Sequence, residues 1–455
     1  MPPVLAFIFC IAFIFIIFRM DFRRHPEPTN ALWIPLLWML IIGSRLVSQW
    51  LNVGTAVSQE ALYMQGNPID KITFSILEIS ALVILYKRQI DWSQIVRRNL
   101  WIVLFFSYCG ISILWSDFPS ASLRRWVKEF GNVLMIVVIL TDSSPPEAVR
   151  TIIRRFSYVV IPMSILLIRY YPHLGITYEI FSGMPAYCGV TTSKNMLGNI
   201  SLVSGLVFVW GLIAIYSKRC SPTDKTDLFI HVIFLVLILW LFRLVDSATS
   251  FVSLMAAVLV LIVFHLSFIK RILHARKSFI LLIPLCCTLY FLAFLERPLT
   301  SIVAIIGHET TFWERVQFWP LVIDMMKQDA SPLLGVGFQS FFMGTRLQTI
   351  LQMGWRDCNQ AHNGYVEIYL NLGLIGLALL LAVIFSSLAN ILRQSTHSLS
   401  YSGFRMAFLL AALAYNITEA AFDGLHIMWF LFLLIAVDVP RNCATLKPRD
   451  PHVFT

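Results

Sequence analysis

The residues best suited to acid–base chemistry lie in the segment AHNGYVE, directly before a long apolar run. His362 and Asn363 come first in this segment, and Glu367 follows. An imidazole has an ordinary pKa of about 6.5 and can accept a proton near neutral pH. The segment therefore predicts a general base where the apolar run begins, with His362 as the first candidate and Glu367 as an alternative. The competing interpretation is that a histidine in this place is only a structural hydrogen-bonding group.

Basic residues form a second group with recognisable chemistry. Arg124 and Arg125 are adjacent in SLRRWVK, and Arg315 lies in a polar stretch further along the chain. A guanidinium holds a phosphate or diphosphate through paired hydrogen bonds, and it can stabilise the charge of a departing diphosphate. We therefore predict that Arg124, Arg125 and Arg315 bind an anionic group, with Lys194 as a fourth candidate. The alternatives are contacts with lipid headgroups or, for Arg315, an ion pair with Glu314.

Nucleotide and metal chemistry have little support in the sequence. It contains no GxxxxGK[ST] loop, no CxxC pair, no HExxH and no DxD-type cluster of carboxylates. These patterns supply the usual phosphate-binding loops and metal ligands. We therefore predict an activity that uses neither a metal nor another cofactor. The net charge of +10 needs no nucleic-acid partner, because basic loops that orient a membrane protein account for it.

The composition indicates which elements position these groups. Of the 455 residues, 58% are hydrophobic and 13% are charged, against roughly 45–50% and 25% in soluble proteins. The mean hydropathy is +0.75. These values exclude a soluble enzyme, a disordered chain and a disulfide-stapled secreted domain. Since a membrane-spanning helix takes about 20 apolar residues, the sequence predicts an all-α polytopic membrane protein with about 12–13 transmembrane helices.

Apolar runs separated by short polar loops define the predicted spans. Each run can satisfy its own backbone hydrogen bonds in lipid as a helix. The first run has no basic leader and no small-residue cleavage site, so we interpret it as a retained anchor. The predicted spans are 3–18, 30–48, 73–86, 99–114, 130–141, 156–170, 196–216, 228–243, 250–269, 278–295, 365–388, 404–419 and 424–438.

The distribution of Lys and Arg orients the predicted bundle. Most of the 35 basic residues lie in loops that face the cytoplasm if the N-terminus is outside and the C-terminus inside. Two outer loops break this rule: the basic loop 115–129 and the loop 296–364, whose length is typical of a functional loop. For 115–129 the alternative is a miscounted span and a cytoplasmic loop. The predicted organisation is N-terminal transmembrane helices over 1–110, a transmembrane core with the basic loop over 111–295, a large periplasmic loop over 296–364, C-terminal transmembrane helices over 365–438 and a cytoplasmic tail over 439–455.

Some polar residues lie within or beside the predicted spans. Ionisable side chains are costly in lipid and by default indicate function, although Arg45 can reach the interface and His231 lies near a span end. Cys188 and Cys358 fall in the two larger outer loops, where either a disulfide or two unpaired thiols is compatible with the sequence. The ionisable residues concerned are Arg45, Glu78, His231 and His265.

Several segments resemble one family of membrane proteins. The stretch NQAHNGYVEIYLNLGLIG at 359–376 resembles the HNxYLxxLxxxGxxG signature of the O-antigen ligase/polymerase superfamily. GVTTSKNMLGN at 189–199 is similar to the family's G-x-x-x-x-KN-x-xG stretch. The segment 312–341 is similar to its G-R-x-x-x-W … P-x-x-G-x-G-x-x-x-F segment, with Glu314 in place of the glycine. SILWSDFPSASLRRWVKEFGN at 112–132 resembles exopolysaccharide-production (ExoQ-like) members, and NITEAAF at 416–422 resembles an acidic motif common in polymerases.

This resemblance covers residues 110–435 and carries specific expectations. It implies a GT-C-like, nucleotide-independent glycosyltransferase of the bacterial inner membrane, with its active site facing the periplasm. Its relatives take a saccharide from undecaprenyl diphosphate and transfer it to an acceptor hydroxyl. The implied partners are undecaprenyl-diphosphate-linked oligosaccharides, as donor and acceptor, and membrane lipids. Whether a chain-length regulator also binds is left open.

The chemistry of the candidate residues fits this reaction and suggests a role for each. His362 is expected to take the acceptor proton or to orient the diphosphate, while Arg315 holds the departing diphosphate. Glu367 and Glu419 are alternative bases, although Glu419 could instead bind a sugar or an arginine. The segment 112–132 favours a polymerase of exopolysaccharide or a similar surface polymer. A surface-polysaccharide ligase and a lipid-linked oligosaccharide flippase are the alternatives. The expected ligands of the diphosphate or glycan are Arg124, Arg125, Lys194, Asn363 and Glu419.

Overall fold

The structure is a computed structural model dominated by helices, as the sequence predicts. The only strands in its described part, Ile176–Tyr178 and Pro185–Tyr187, form one short antiparallel hairpin. The prediction of an all-α polytopic membrane protein is therefore confirmed. The structure describes residues 1–24, 29–52, 66–179, 183–217, 222–265, 309–355, 359–395, 398–422 and 424–440.

Helices follow the apolar runs closely. Every predicted span except 278–295, which lies outside the described residues, coincides with a helix or with helices interrupted by a short turn. The helices are α1 (Pro3–Arg24), α2 (Trp33–Ile42), α3 (Val47–Trp50), α4 (Pro68–Lys87), α5 (Trp92–Arg98), α6 (Leu100–Ile111), α7 (Pro119–Leu140), α8 (Pro145–Tyr170), α9 (Pro172–Gly175), α10 (Lys194–Ser217), α11 (Pro222–Val245), α12 (Ala248–His265), α13 (Glu309–Asp329), α14 (Gly344–Gln352), α15 (Gly364–Gln394), α16 (Leu399–Thr418) and α17 (Ile427–Ala436).

Length and apolarity single out a subset of these helices as membrane spans. Within the described ranges, six helices are long and apolar enough to cross a membrane: α1, α8, α10, α11, α12 and α15. The pair α5 and α6, bent by 91° where they meet, raises this number to seven if it forms one span. The remaining predicted spans coincide with helices that are shorter, such as α17, or that carry polar residues, such as α7.

One predicted loop is largely a helix. The sequence predicted a loop over 115–129, but α7 begins at Pro119 and runs without interruption to Leu140. Proline is well tolerated in the first helical turn, because its missing N–H would have no partner there. Arg124, Arg125 and Lys128 therefore project from the first turns of a rigid helix rather than from a flexible connector. Similarly, within the predicted loop 296–364 the structure places the helices α13 and α14.

The centre of the described bundle is formed by α16 and α17. Every residue of α17 is buried, and α16 is buried continuously from Ser402 to Asn416. Small residues recur every four positions along α16, at Gly403, Ala407 and Ala411, a spacing that lets helices approach closely in membranes. A Cβ atom at Gly403 would lie 3.1 Å from Phe264 of α12, which shows how closely these two helices pack.

Helix α15 is broken near its first third, and a neighbouring segment fills the break. Gly373 has a φ of 65°, and the segment 332–337 lies against it. The carbonyls of Leu370 and Asn371 accept from the N–H groups of Val336 and Gly337 at 3.1 and 2.8 Å. In turn, the N–H groups of Leu374 and Ile375 donate to the carbonyls of Pro332 and Leu333 at 3.0 and 3.2 Å. The segment thus replaces the hydrogen bonds that α15 loses at its break.

Candidate functional site

The start of α15 fixes the backbone around His362. Asn363 caps the helix: its Oδ1 accepts from the N–H groups of Tyr365 and Val366 at 3.0 and 3.1 Å. Its Nδ2 donates to the carbonyl of Ile417 at 3.0 Å. His362 itself has a φ of 50°, a left-handed conformation that is uncommon outside glycine. The sharp turn at His362 and the cap at Asn363 together hold the imidazole at the mouth of the helix.

The imidazole of His362 faces a carboxylate from the end of α16. Its Nδ1 lies 3.7 Å from Oε2 of Glu419, and the His362 side chain is 19% exposed. The N–H of Gly364 donates to the carbonyl of Glu419 at 3.1 Å, which ties the two chain segments together. Within the described part of the chain, Nε2 of the ring takes no hydrogen bond. The ring therefore has one nitrogen oriented toward a carboxylate and the other available for a proton.

Asn195 holds Glu419 in this arrangement. Its Nδ2 donates to Oε1 of Glu419 at 2.7 Å, and the hydroxyl of Tyr415 donates to its backbone carbonyl at 3.3 Å. The acidic motif at the end of α16, the Lys-Asn pair at the start of α10 and the histidine before α15 thus converge on one point. These three segments are separate motifs in the sequence, and the structure brings them together.

A polar cavity of about 270 Å³ opens beside this cluster. Gln360 connects the two, since its Nε2 lies 3.4 Å from Nδ1 of His362 and its side chain lines the cavity. Glu367 also lines it and is largely buried; its Oε2 accepts from the N–H of Ala361 at 2.7 Å and its Oε1 from Nδ2 of Asn371 at 3.1 Å. The polar lining consists mainly of Arg125, Gln339, Asn359, Gln360, Glu367 and the backbone of Gly424.

Two residues of helix α7 form hydrogen bonds with Gln339, a loop residue that lines the cavity. Arg125 donates from Nη1 to the backbone carbonyl of Gln339, while Nε2 of Gln339 donates to Oε2 of Glu129 at 3.2 Å. Glu129 is 1% exposed, and it also accepts from the indole N–H of Trp429 at 2.5 Å and the N–H of Gly424 at 3.2 Å. These three donors satisfy the hydrogen-bonding capacity of a buried carboxylate. Arg125 and Glu129, one turn apart on α7, therefore fix the wall of the cavity.

The other residues predicted to bind the diphosphate or glycan are not among the described residues that line this cavity. Lys194, at the start of α10, forms an ion pair with Glu179, with Nζ 2.5 Å from Oε1. Arg124 is half-buried on the first turns of α7 and is not among the described residues that line the cavity. The cap formed by Asn363 occupies its amide, so the structure shows it positioning His362 rather than presenting a free group. Arg315 lies on α13, and the placement of its side chain falls outside the described part of the structure.

Three of the four ionisable residues singled out in the spans, His231, His265 and Arg45, make structural contacts. His231 and His265 each direct Nδ1 to the carbonyl one turn earlier in their own helix, at 2.6 and 2.8 Å. Arg45 donates from Nε to the carbonyl of Thr191 at 3.0 Å and from Nη2 to the thiol of Cys188 at 3.6 Å. Glu78 lies on α4 with a buried Oε1 that has no hydrogen bond in the described structure. Cys358 lies outside the described residues, so both alternatives, a disulfide with Cys188 and two unpaired thiols, stay open.

Three residues that organise the site were not singled out in the sequence. Asn195 follows Lys194 in the Lys-Asn pair of 189–199, and the pair itself was the available signal. Gln339 lies within the GVGFQSF segment, where its positive φ of 48° had no sequence signal. Glu129 follows the basic run of α7 and has the wrong charge for the anion site predicted there. Among the described residues, no group of three or more His, Cys, Asp and Glu side chains could hold a metal ion.

Comparisons with known proteins agree with the predicted resemblance. The family described as O-Antigen ligase matches residues 233–381, which include His362 and Glu367. The chain is 24% identical over 379 residues to the exopolysaccharide production protein ExoQ of Rhizobium meliloti (strain 1021), covering 76% of this chain and 79% of that protein. It is also 24% identical over 354 residues to a protein named "Putative polysaccharide ligase" from Rickettsia felis (strain ATCC VR-1525 / URRWXCal2), covering 74% and 80%. The resemblance to the O-antigen ligase/polymerase superfamily and to ExoQ-like proteins is confirmed.

Proposed function

We propose that this multi-pass membrane protein is a glycosyltransferase that joins lipid-linked oligosaccharide repeat units into an exopolysaccharide or a similar surface polysaccharide. In this proposal donor and acceptor are both undecaprenyl-diphosphate-linked oligosaccharides. The reaction takes place on the periplasmic face of the bacterial inner membrane. The observation that carries the proposal is the pairing of His362 with Glu419 at the edge of a polar cavity. The similarity to an exopolysaccharide production protein supports it.

In the proposed reaction His362 accepts the proton of the acceptor hydroxyl, and the arginines stabilise the departing diphosphate. The acceptor hydroxyl oxygen bonds to the anomeric carbon of the donor, and the bond from that carbon to the diphosphate oxygen breaks. The diphosphate leaves with the bonding electron pair, and the hydroxyl proton passes to Nε2 of His362. A positioned base contributes about 10²–10⁴ in rate to such a step. Glu419, 3.7 Å from Nδ1, stabilises the imidazolium, as the carboxylate does in a catalytic triad.

The departing diphosphate requires positive charge. Arg125 is the arginine that lines the cavity, and we assign it one contact with the donor. Arg315 is assigned the paired hydrogen bonds that hold the diphosphate, because a guanidinium has the planar geometry for two parallel contacts. Glu367 is the alternative base. Its two side-chain oxygens already accept hydrogen bonds, so we assign it the role of shaping the cavity.

A ligase is the second candidate function, and it is favoured by two comparisons. The matching family is described as O-Antigen ligase, and one relative is named as a polysaccharide ligase. The chemistry at the anomeric carbon would be the same, and only the acceptor hydroxyl would belong to another molecule. The geometry around His362 fits both reactions. The similarity to the exopolysaccharide production protein extends over more of this chain, so we place polymerisation first.

The polysaccharide produced by a deletion strain distinguishes the candidates. We expect loss of long chains, with single repeat units still made and exported. Full-length polymer retained on the lipid carrier would instead identify a ligase, and repeat units trapped on the cytoplasmic side would identify a flippase. Purified protein in proteoliposomes should extend lipid-linked repeat units without added nucleotide sugar and in excess EDTA. Inhibition by EDTA that one divalent cation reverses would contradict the metal-free mechanism.

A further inference from the structure

A second cavity lies at the far end of the helices that carry the candidate site. The first cavity adjoins the start of α15, the end of α16 and the start of α17. The second, of about 400 Å³, adjoins the end of α15, the start of α16 and the end of α17. The two cavities therefore lie at opposite ends of the same three helices. Arg98, Tyr401, Ser402, Arg405 and Asp438 provide polar or ionisable groups in its lining.

Arg405 is buried in the wall of this cavity, and one nitrogen of its guanidinium has no hydrogen-bond partner in the described structure. The residue is 2% exposed. Its Nε donates to the carbonyl of Ile435 at 2.7 Å, and its Nη1 donates to Oε1 of Gln394 at 2.6 Å. Its Nη2 is buried and has no hydrogen-bond partner within the described residues. The hydroxyl of Ser402, which also lines the cavity, is likewise buried without a partner in the described structure.

The nearby carboxylate of Asp438 contacts other side chains and not the guanidinium of Arg405. Oδ2 of Asp438 lies 3.3 Å from Arg98 Nη1 and 3.3 Å from Arg393 Nη2. Its Oδ1 accepts from Nε2 of Gln394 at 2.8 Å. The amide of Gln394 thus stands between the carboxylate and the guanidinium of Arg405, whose described hydrogen bonds go to neutral oxygens. Asp438 is shared by Arg98 and Arg393, and Arg405 adds a third guanidinium beside it, so arginines outnumber this carboxylate around the cavity.

Buried donors without partners are uncommon in folded proteins, and each one calls for an explanation. A buried guanidinium is especially costly unless an anion or further acceptors compensate it. The unused Nη2 of Arg405 and the hydroxyl of Ser402, one turn apart and in one cavity, are two donors of the kind that hold a phosphate oxygen. The remaining lining is partly apolar, with Leu140 and Val437 among its members.

We propose that this cavity is a binding site for a phosphate group, held by Arg405 and Ser402, with Arg98 at its exposed rim. The phosphate belongs either to the headgroup of an anionic phospholipid or to a soluble phosphate ion. The site is separate from the candidate active site, so the proposal does not depend on the proposed function. An occupied site compensates Arg405 and stabilises the packing of α15, α16 and α17 at this end of the bundle.

Binding to the purified full-length protein tests this proposal. The probes are phosphatidylglycerol, a diacylglycerol with the same acyl chains but no phosphate, and inorganic phosphate. We expect saturable binding of phosphatidylglycerol, measured by native mass spectrometry and as a rise in Tm, with no binding of the diacylglycerol. Competition by millimolar inorganic phosphate that removes the lipid effect would show that the phosphate alone is recognised. Unchanged lipid binding under that competition would show that the whole headgroup is recognised.

Two variants and one control decide whether the named residues hold the phosphate. Arg405→Gln should weaken binding by about tenfold or more, because hydrogen bonds to charged groups are strong, and Ser402→Ala should weaken it several-fold. Ser387→Ala is the matched control, since this buried hydroxyl already donates to the carbonyl of Val383 at 2.7 Å; it should bind as the wild type does. If Arg405→Gln does not fold, Ser402→Ala decides the matter. Absence of saturable binding of either phosphate probe to folded wild type, or undiminished binding by the folded variants, would overturn the proposal.

Discussion

The two ends of helices α15, α16 and α17 differ in the sign of their buried charge. At the candidate site, the described groups include the carboxylates Glu129, Glu367 and Glu419, and each accepts at least one hydrogen bond. At the opposite end, the buried Arg405 has an unused nitrogen, and Asp438 is shared by Arg98 and Arg393. One bundle thus places hydrogen-bonded carboxylates at one end and a cluster of arginines at the other.

This difference bears on how a diphosphate would be held at the candidate site. Carboxylates repel a diphosphate, so the site needs more positive charge than Arg125 contributes to the cavity lining. In the proposed reaction Arg315 therefore supplies the additional positive charge that holds the diphosphate, together with Arg124 and Arg125. The orientation predicted from the sequence places the opposite end at the cytoplasmic side, where spans are rich in Lys and Arg; this orientation stays a prediction. Substitutions at His362, Arg315 and Glu419 test whether the carboxylate-rich end carries out the reaction, and a substitution at Gly373 tests the break in α15.

The largest effect is expected for His362→Ala. Removal of the imidazole should lower chain extension by about 10²–10⁴-fold, because His362 is the assigned base and Glu419 lies 3.7 Å from its Nδ1. The variant should still accumulate in the membrane, since the side chain is partly exposed. His265→Ala is the matched control and should retain activity, because His265 contacts its own helix. The measurement is extension of lipid-linked repeat units in proteoliposomes. Normal extension by His362→Ala would remove this residue from the mechanism.

The next largest effect concerns Arg315. We expect Arg315→Lys to lower chain extension nearly as much as Arg315→Ala, by about 10²-fold. Lys keeps the charge but lacks the paired N–H donors with which a guanidinium binds a phosphate. The same extension assay measures it, and Lys327→Ala on the same helix serves as a control. If Arg315→Lys kept most of the activity, the residue would supply only a general positive charge to the site.

A smaller effect is expected for Glu419→Gln. Gln preserves an oxygen for the amide of Asn195, but it removes the charge that stabilises the imidazolium of His362. We expect activity to fall by about tenfold, with normal protein levels. Glu179→Gln, which removes the ion pair with Lys194, is the control and should have little effect. A Glu419→Gln protein as active as the wild type would assign this carboxylate a structural role only.

The smallest effect on activity is expected from Gly373→Ala, which acts on stability. Gly373 has a positive φ and its Cβ position faces the backbone of Leu333, whereas Gly183 has a similar φ of 64° with nothing near its Cβ position. Gly373→Ala should therefore cost about 1–3 kcal/mol more than Gly183→Ala. Thermal unfolding in detergent measures this difference. Equal Tm values for the two variants would show that the break in α15 can relax around a methyl group.

The helices were largely predictable from the sequence, because lipid imposes long apolar runs on whatever crosses it. The first turns of α7 were not, because their basic residues interrupt the apolar pattern that marks a span. The break at Gly373 could not be predicted for the opposite reason: the apolar run continues through LGLIG at 372–376, so the hydropathy pattern does not record the backbone turn. The positive φ of Gly373 and its packing against residues 332–337 show the break in α15.

The candidate site was predicted in part. His362, Glu367 and Glu419 were identified from their residue types and their places beside spans, and the structure brings His362 and Glu419 together. Asn195 was missed because its role arises from a contact with Glu419, 224 residues further along the chain. Asn363 and Lys194 were assigned to ligands, whereas the structure shows one capping a helix and the other paired with Glu179. Such roles depend on distances that no local pattern records.

The break in α15 also constrains how the chain is assembled during synthesis. Residues 332–337 emerge from the ribosome before α15, and the carbonyls and N–H groups exposed at the break would face lipid without them. A helix with unpaired backbone groups enters the hydrocarbon layer poorly. We therefore expect α15 to leave the insertion machinery together with the preceding segment, as one unit. Separating the two by a long insertion after residue 340 should then impair insertion of the helix itself.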